Sequence, residues 1–452
     1  MIKYGKMLFL MLAMSLIITG CAGQEMSVAS NGVANDVVWE REENVQTEQA
    51  PKVETVSGQE LEVEIEKEAA TMSEPDVEIE NEVEPEPETE PVKVKGIYIT
   101  GPVAGSEKMD ELITLVEETE LNAMVIDVKN DEGVVTYKMQ SDTVLEIESG
   151  VRYIKDIEAL VEKLHEKDIY LIARIVAFKD PYLAEMKPEL SLKTSSGEVF
   201  RDKNGDAWVN PYMQEVWDYL VEIGTQAAQI GFDEIQFDYI RFSTDVNAGS
   251  VDYGEAAETM TKEEVITGFT EYAYNKLHPL GVKVSADVFG TIIDNEYDAA
   301  LVGQNYQEMA AHLDYICPMV YPSHYSNGVY GLEVPDKEPY ETVYHAMSES
   351  KKKLEPVEDV SANSLERTEG TASVSENSLD RTDRTAIVRV WLQDFTATWV
   401  KGHITYGAAE VRAQIQAVYD AGYDEWILWN ARMNYTKDAL LPSEPKTEDA
   451  SE

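Results

Sequence analysis

The chain is poor in cysteine, histidine and positive charge. Its 452 residues include two cysteines and six histidines, and 37 lysines and arginines face 86 acids, for a formal net charge of −49. That balance argues against nucleic acid and anionic lipid headgroups as partners, because binding phosphate requires a basic stripe. The histidines form no H-x-x-x-H or H-x-H pair, so neither a metal site nor metal catalysis is expected. The apolar run from Met7 to Ile18 is too short to cross a bilayer, and behind Lys3 and Lys6 it has the form of a signal-peptide core.

Cys21 closes the sequence Ile18-Thr19-Gly20-Cys21, which resembles a bacterial lipobox. The reading is a signal peptide over 1–20 and lipidation of Cys21, tethering the chain to the outer face of the cell membrane. Cys317 then has no partner, so an exported fold without an internal disulfide is expected. From residue 21 to about 92 the sequence is rich in Glu, Val, Pro, Ser and Thr and includes the run E-P-E-P-E-T-E-P at Glu84 to Pro91. A segment that repels itself and lacks apolar surface reads as an extended acidic linker, as does the short tail 442–452.

After Pro91 the texture changes. Apolar strands are expected at Val94 to Thr100, Ala123 to Lys129, Ile169 to Phe178, Gly231 to Arg241, Lys283 to Phe289, Tyr315 to Tyr321, Ile387 to Phe395 and Glu425 to Arg432. Amphipathic helices fall between them, at Glu107 to Thr119, Ile154 to Lys167, Pro211 to Ile230, Lys262 to Leu277, Val302 to His312, Tyr340 to Leu354 and Ala408 to Ala421. Eight strands alternating with helices predict a single (β/α)₈ barrel over 93–441. Long loops follow strands three, four and six, on the face where such barrels build their sites. The stretch 355–384 joins a helix to a strand and so belongs to the opposite face. It carries the near-repeat V-S-A-N-S-L-E-R-T-E-G and V-S-E-N-S-L-D-R-T-D-R and reads as a flexible insertion.

Chemistry converges on the strand ends. Strand two offers Asp127 and Lys129, strand three Arg174, strand four Gln236, Asp238 and Arg241, and strand five Asp287. Strand six adds Tyr321, His324 and Tyr325, strand seven Gln393, and strand eight Trp429 and Asn430. Carboxylates, amides and aromatic faces gathered at one mouth suit a sugar, whose C–H surfaces stack on rings while its hydroxyls take planar polar groups. Cleaving a glycosidic bond needs two carboxyl groups, one ionised and one holding a proton. Asp238 is expected as nucleophile or charge stabiliser, Asp287 as acid/base and Asp127 as the second candidate acid, with Arg174 or Arg241 keeping one carboxylate ionised. Trp208, in the loop after strand three, reads equally as a stacking platform or as loop packing. Asp202, Asn204 and Asp206 imitate the start of a calcium loop, but Ala207 replaces the required glycine, so a surface turn is expected.

The stretches K-G-I-Y-I-T, V-I-D-V-K-N-D-E-G, F-D-E-I-Q-F-D-Y-I-R-F, S-A-D-V-F-G, P-M-V-Y-P-S-H-Y and L-Q-D-F resemble the bacterial family labelled "putative glycosyl hydrolase domain". The resemblance implies a glycosidase-like barrel working on a carbohydrate without a cofactor. Strand four is also similar to the D-x-x-D-x-D-x-E strand of chitinase-type hydrolases, with Asp233 and Asp238 matching. Gln236 and Ile240 stand where that pattern has acids, so its proton donor is missing. Two function classes therefore remain: a glycoside hydrolase with its acid on another strand, and a non-catalytic glycan-binding or cell-wall scaffold protein.

Overall fold

The computed structural model describes residues 92–245, 251–355 and 385–443. The signal peptide, Cys21, nearly all of the acidic linker, nearly all of the 355–384 insertion and most of the tail lie outside the described residues. What is described is a barrel. Strands β1 (Lys95–Ile99), β2 (Ala123–Lys129), β3 (Tyr170–Val176), β4 (Glu234–Asp238), β5 (Lys283–Phe289), β6 (Tyr315–Val320), β7 (Val390–Gln393) and β8 (Trp426–Trp429) pair in parallel in this order. β8 pairs back onto β1, Lys95 opposite Trp426, and closes the ring.

Each strand follows from its residues. β2 reads A-M-V-I-D-V-K and is buried along its whole length, as a strand covered on both faces must be. Its alternation sends Met124, Ile126 and Val128 outward to the helices, while Ala123 and Val125 face the barrel interior. The helices α1 (Lys108–Glu118), α2 (Ile157–His165), α3 (Gln214–Ile230), α4 (Lys262–Leu277), α5 (Tyr306–Ala310), α6 (Pro339–Leu354) and α7 (Ala408–Asp420) cover the outer face. Their ends carry local signals: Asp156 caps α2, Thr261 and Glu264 form a capping box on α4, and Gly231 ends α3 at φ +112. The helix expected at Val302 to His312 is two, Glu296–Val302 and α5. Gly303 at φ +77 ends the first and Asn305 caps the second.

The interior is layered. At the bottom Arg389 reaches Glu234 (2.8 and 2.9 Å) and Glu425 (2.8 Å), and lies 3.8 Å over the Tyr315 ring. Tyr170 also donates to Glu234, at 3.1 Å. Val125, Ile172, Cys317 and Ile427 fill the middle. At the top the loops after β3 and β4 pair through Lys193–Thr194 and Val251–Asp252 to build one side of the rim.

Candidate active site

Asp238 is the last residue of β4, and the chain turns immediately after it. Tyr239 has φ +49, a left-handed conformation that costs a non-glycine residue on the order of 1 kcal/mol or more. The turn is held from several sides: Tyr239 packs edge-on against Trp208, Lys179 and Arg241 lie over its ring, and its carbonyl accepts from the Phe178 N–H. Its own N–H donates to Asp238 Oδ1 at 2.6 Å, so the strained residue fixes the carboxylate beside it.

Arg174 of β3 takes the other oxygen. Its Nε and Nη2 donate to Asp238 Oδ2 at 3.0 and 2.6 Å, its Nη1 to Asp127 Oδ1 at 2.7 Å, and its Nη2 to Asp131 Oδ1 at 3.0 Å. One buried guanidinium thus gathers three carboxylates. Burial pushes Asp127 up to about 6 against the pull of Arg174, while Tyr98 donates its hydroxyl to Asp127 Oδ2 at 2.7 Å.

Asp287 stands apart from this hub. β4 and β5 pair Phe237 with Ala286, so the next residues, Asp238 and Asp287, come level on adjacent strands. Asp287 faces inward and is buried, and Trp391 of β7 donates its indole N–H to Oδ1 at 2.6 Å. Burial, and after it the charge of Asp238, hold the Asp287 carboxyl well above the ordinary carboxylate range. Two neighbouring carboxyls therefore differ in setting, one ion-paired to Arg174 and the other buried, hydrogen-bonded to an indole and held above the ordinary carboxylate range.

Aromatic rings line the side of the mouth next to this pair. Trp429 stacks on Tyr98 (6.3 Å between centroids) and meets Tyr321 (6.0 Å) and Phe395 (5.3 Å). His324 borders the same group and donates or accepts at Ser323 through Nδ1 (3.0 Å), and burial lowers its pKa to about 4. Its imidazole is neutral at pH 7.

Other residues expected at the mouth lie elsewhere. A register shift between Asp127 and Lys129 turns Lys129 to the outer face, opposite Ile175, where it is fully buried and paired with Asp180 at 2.8 Å. Tyr325 follows a tight turn at Pro322–His324 and packs into the outer core against Tyr330. Gln236 lies fully buried beneath the mouth, donating to Cys317 Sγ at 3.5 Å. Gln393 spends its amide on the rim, donating to Asp336 (3.1 Å) and the Phe395 carbonyl (3.0 Å) and accepting from the Ser323 N–H (3.1 Å). Asn430 donates to the carbonyls of Asp394 and Asn434, at 2.5 and 3.0 Å. Trp208 is 2% exposed, bonded to Asp202 at 3.0 Å, with Arg241 over its ring: it packs the loop. Arg241 lies among the Trp208, Tyr239 and Phe289 rings and donates to the Phe242 carbonyl. Tyr98, Asp131 and Trp391 belong to the site but were not singled out in the sequence. Alternation places Tyr98 and Trp391 on the inward face, and that was the available cue. Among the described residues no group of three or more His, Cys, Asp or Glu is placed to hold a metal ion.

A closed (β/α)₈ ring whose mouth combines paired carboxyls with stacked aromatic rings has the architecture of glycosidase barrels. The chain belongs to the family described as "Putative glycosyl hydrolase domain", which matches residues 96–435. Among solved structures, a hypothetical protein from Ruminiclostridium thermocellum is 38% identical over 42% of this chain and 97% of its own, with a TM-score of 0.40. The PgaB (BpsB) glycoside hydrolase domain of Bordetella bronchiseptica is matched over 78% of this chain and 100% of its own, at 11% identity and a TM-score of 0.50. The spore cortex-lytic enzyme SleL of Bacillus megaterium is matched over 77% and 72%, at 10% identity and a TM-score of 0.42. The likeness to PgaB is one of fold. No curated protein matches the sequence significantly.

Proposed function

We propose that the protein is a glycoside hydrolase of the retaining type, with Asp238 as nucleophile and Asp287 as acid/base. The observation that carries this reading is the contrast between two level carboxyls on adjacent strands, one ion-paired to Arg174 and one buried beside the Trp391 indole with its pKa raised by burial. Adjacent strands lie about 4.8 Å apart, close to the roughly 5 to 5.5 Å between carboxyls that retention requires. In the first step Asp287 gives its proton to the leaving-group oxygen as the glycosidic C–O bond breaks, and Asp238 bonds to the anomeric carbon. In the second, Asp287, now a carboxylate, takes a proton from water, whose oxygen displaces Asp238. Arg174 binds Asp238 Oδ2 through two hydrogen bonds, leaving Oδ1, which accepts from the Tyr239 N–H, to attack.

One observation favours the competing class, a glycan-binding protein without turnover: Arg174 clamps three of the carboxylates. A reducing-sugar assay on a panel of polysaccharides separates the two. Wild type is expected to release sugar, and Asp238→Asn and Asp287→Asn to lose at least ~10³-fold in rate while unfolding at the temperature of wild type. Full turnover by Asp238→Asn removes the assignment; binding without release by the wild type establishes the second class.

A further inference from the structure

The loop after β7 carries an exposed tryptophan. Trp399 is 43% exposed, the one tryptophan among the exposed large apolar side chains of the described residues. The loops around it are tied together by hydrogen bonds. Gln393 and Asp336 join the loops after β6 and β7, Asp336 Oδ2 accepts from the Ile404 N–H at 3.2 Å, Tyr406 donates to the Asp336 carbonyl at 3.1 Å, and the Tyr406 N–H donates to Thr396 at 3.0 Å. Phe395 supports one face of the indole, stacked at 5.9 Å with 20° between planes.

Phe395 also makes the edge contact with Trp429, which stacks on Tyr98, which donates to Asp127. The rings thus form one continuous path from the carboxylates inside the barrel to the open indole on the rim. A packed core needs no ring at the far end of such a path, and an exposed ring held in place at no further ordering cost is suited to stacking on a flat apolar face. The neighbouring mouth selects the occupant. A sugar chain presents alternating hydroxyl edges and C–H faces, and the ring path from the mouth leads to Trp399.

We propose that Trp399 is a remote stacking subsite for a sugar unit of the same chain whose scissile bond lies over Asp238 and Asp287, so that the substrate is an oligo- or polysaccharide rather than a single glycoside. This rests on the glycosidase reading of the mouth. The experiment compares wild type, Trp399→Ala and Trp399→Phe, each as the full chain and each in an Asp238→Asn background, on an array of mono- to hexasaccharides of hexoses and N-acetylhexosamines. Wild type and Asp238→Asn are expected to bind longer chains better than short ones. Trp399→Ala is expected to lose that increment, on the order of tenfold, and Trp399→Phe to keep most of it. On a cleaved chain, Trp399→Ala raises KM and leaves kcat unchanged, which a loss of folding would not do. Length dependence unaltered by Trp399→Ala, or binding indifferent to length, overturns the subsite and leaves the mouth standing. No retention of any glycan by wild type overturns both.

Discussion

Replacing Arg174 by methionine tests whether the mouth is organised by charge. The substitution keeps a long flexible side chain and removes the only counter-ion that the described structure gives Asp127 and Asp238 together. Their side chains are 4% and 11% exposed, so both are left nearly dry, whereas Asp131 at 48% is rehydrated and contributes less than about 1 kcal/mol. Stranding buried charge in this way costs about 3–5 kcal/mol. The cost depends on pH, and the sign is fixed. Asp127 already titrates near 6 beside the arginine, above the roughly 3.9 of an unfolded aspartate. Without Arg174 its native pKa rises further, so the stability that protonation gives is fully present below the unfolded value and is lost as pH rises through the native one. Each proton taken up by a stranded carboxyl relieves about 1.4 kcal/mol per pH unit. The deficit of Arg174→Met against wild type is therefore largest at pH 8 and smaller at pH 5. Urea unfolding followed by tryptophan fluorescence at pH 5, 6.5 and 8 measures it, and the double variant Arg174→Met/Asp127→Asn is expected to recover part of the loss at pH 8. A deficit equal at all three pH values would show that the side chain matters for packing and would refute the charge hub.

Trp391→Phe removes the N–H that Asp287 Oδ1 accepts. A hydrogen bond to a charged group is worth about 1.5–3 kcal/mol, so the Asp287 carboxyl should move further above the ordinary range and carry the basic limb of the pH–rate profile upward with it; an unmoved limb means that Asp287 is not the acid. Lys129→Met leaves Asp180 buried without its cation and is expected to destabilise the fold by about 3–5 kcal/mol at pH 7 while leaving KM for any cleaved glycan unchanged, a result checked by thermal unfolding beside kinetics.

The strands were legible because a barrel buries them on both faces, which leaves long apolar runs punctuated by inward polar residues. Asp238 and Asp287 could be read for the same reason: each sits where period-two alternation meets the C-terminal end of its strand. Lys129 could not, because one extra residue in β2 reverses the alternation, and nothing in D-V-K-N-D marks the shift. Tyr325 escaped through the turn at Pro322–His324, which re-aims the chain after β6. Gln393 and Asn430 resemble sugar-binding amides by composition alone; their donors are consumed by loop carbonyls and Asp336 that are distant in sequence or come from turns. Tyr98 and Trp391 read as core because aromatic residues usually are core. Only the partner across the barrel shows that their polar atoms support carboxylates.

The ion cluster at the floor of the barrel acts on assembly. Arg389 joins the start of β4, the entry to β7 and the entry to β8, and its partner Glu234 lies 155 residues away in the chain. A slip of one residue in β7 would turn this guanidinium to the outer, apolar face and leave Glu234 and Glu425 facing each other with no cation between them. Misregistered rings are thereby penalised at their last seam, so the floor works as a closure check that only the correct eight-strand circuit satisfies.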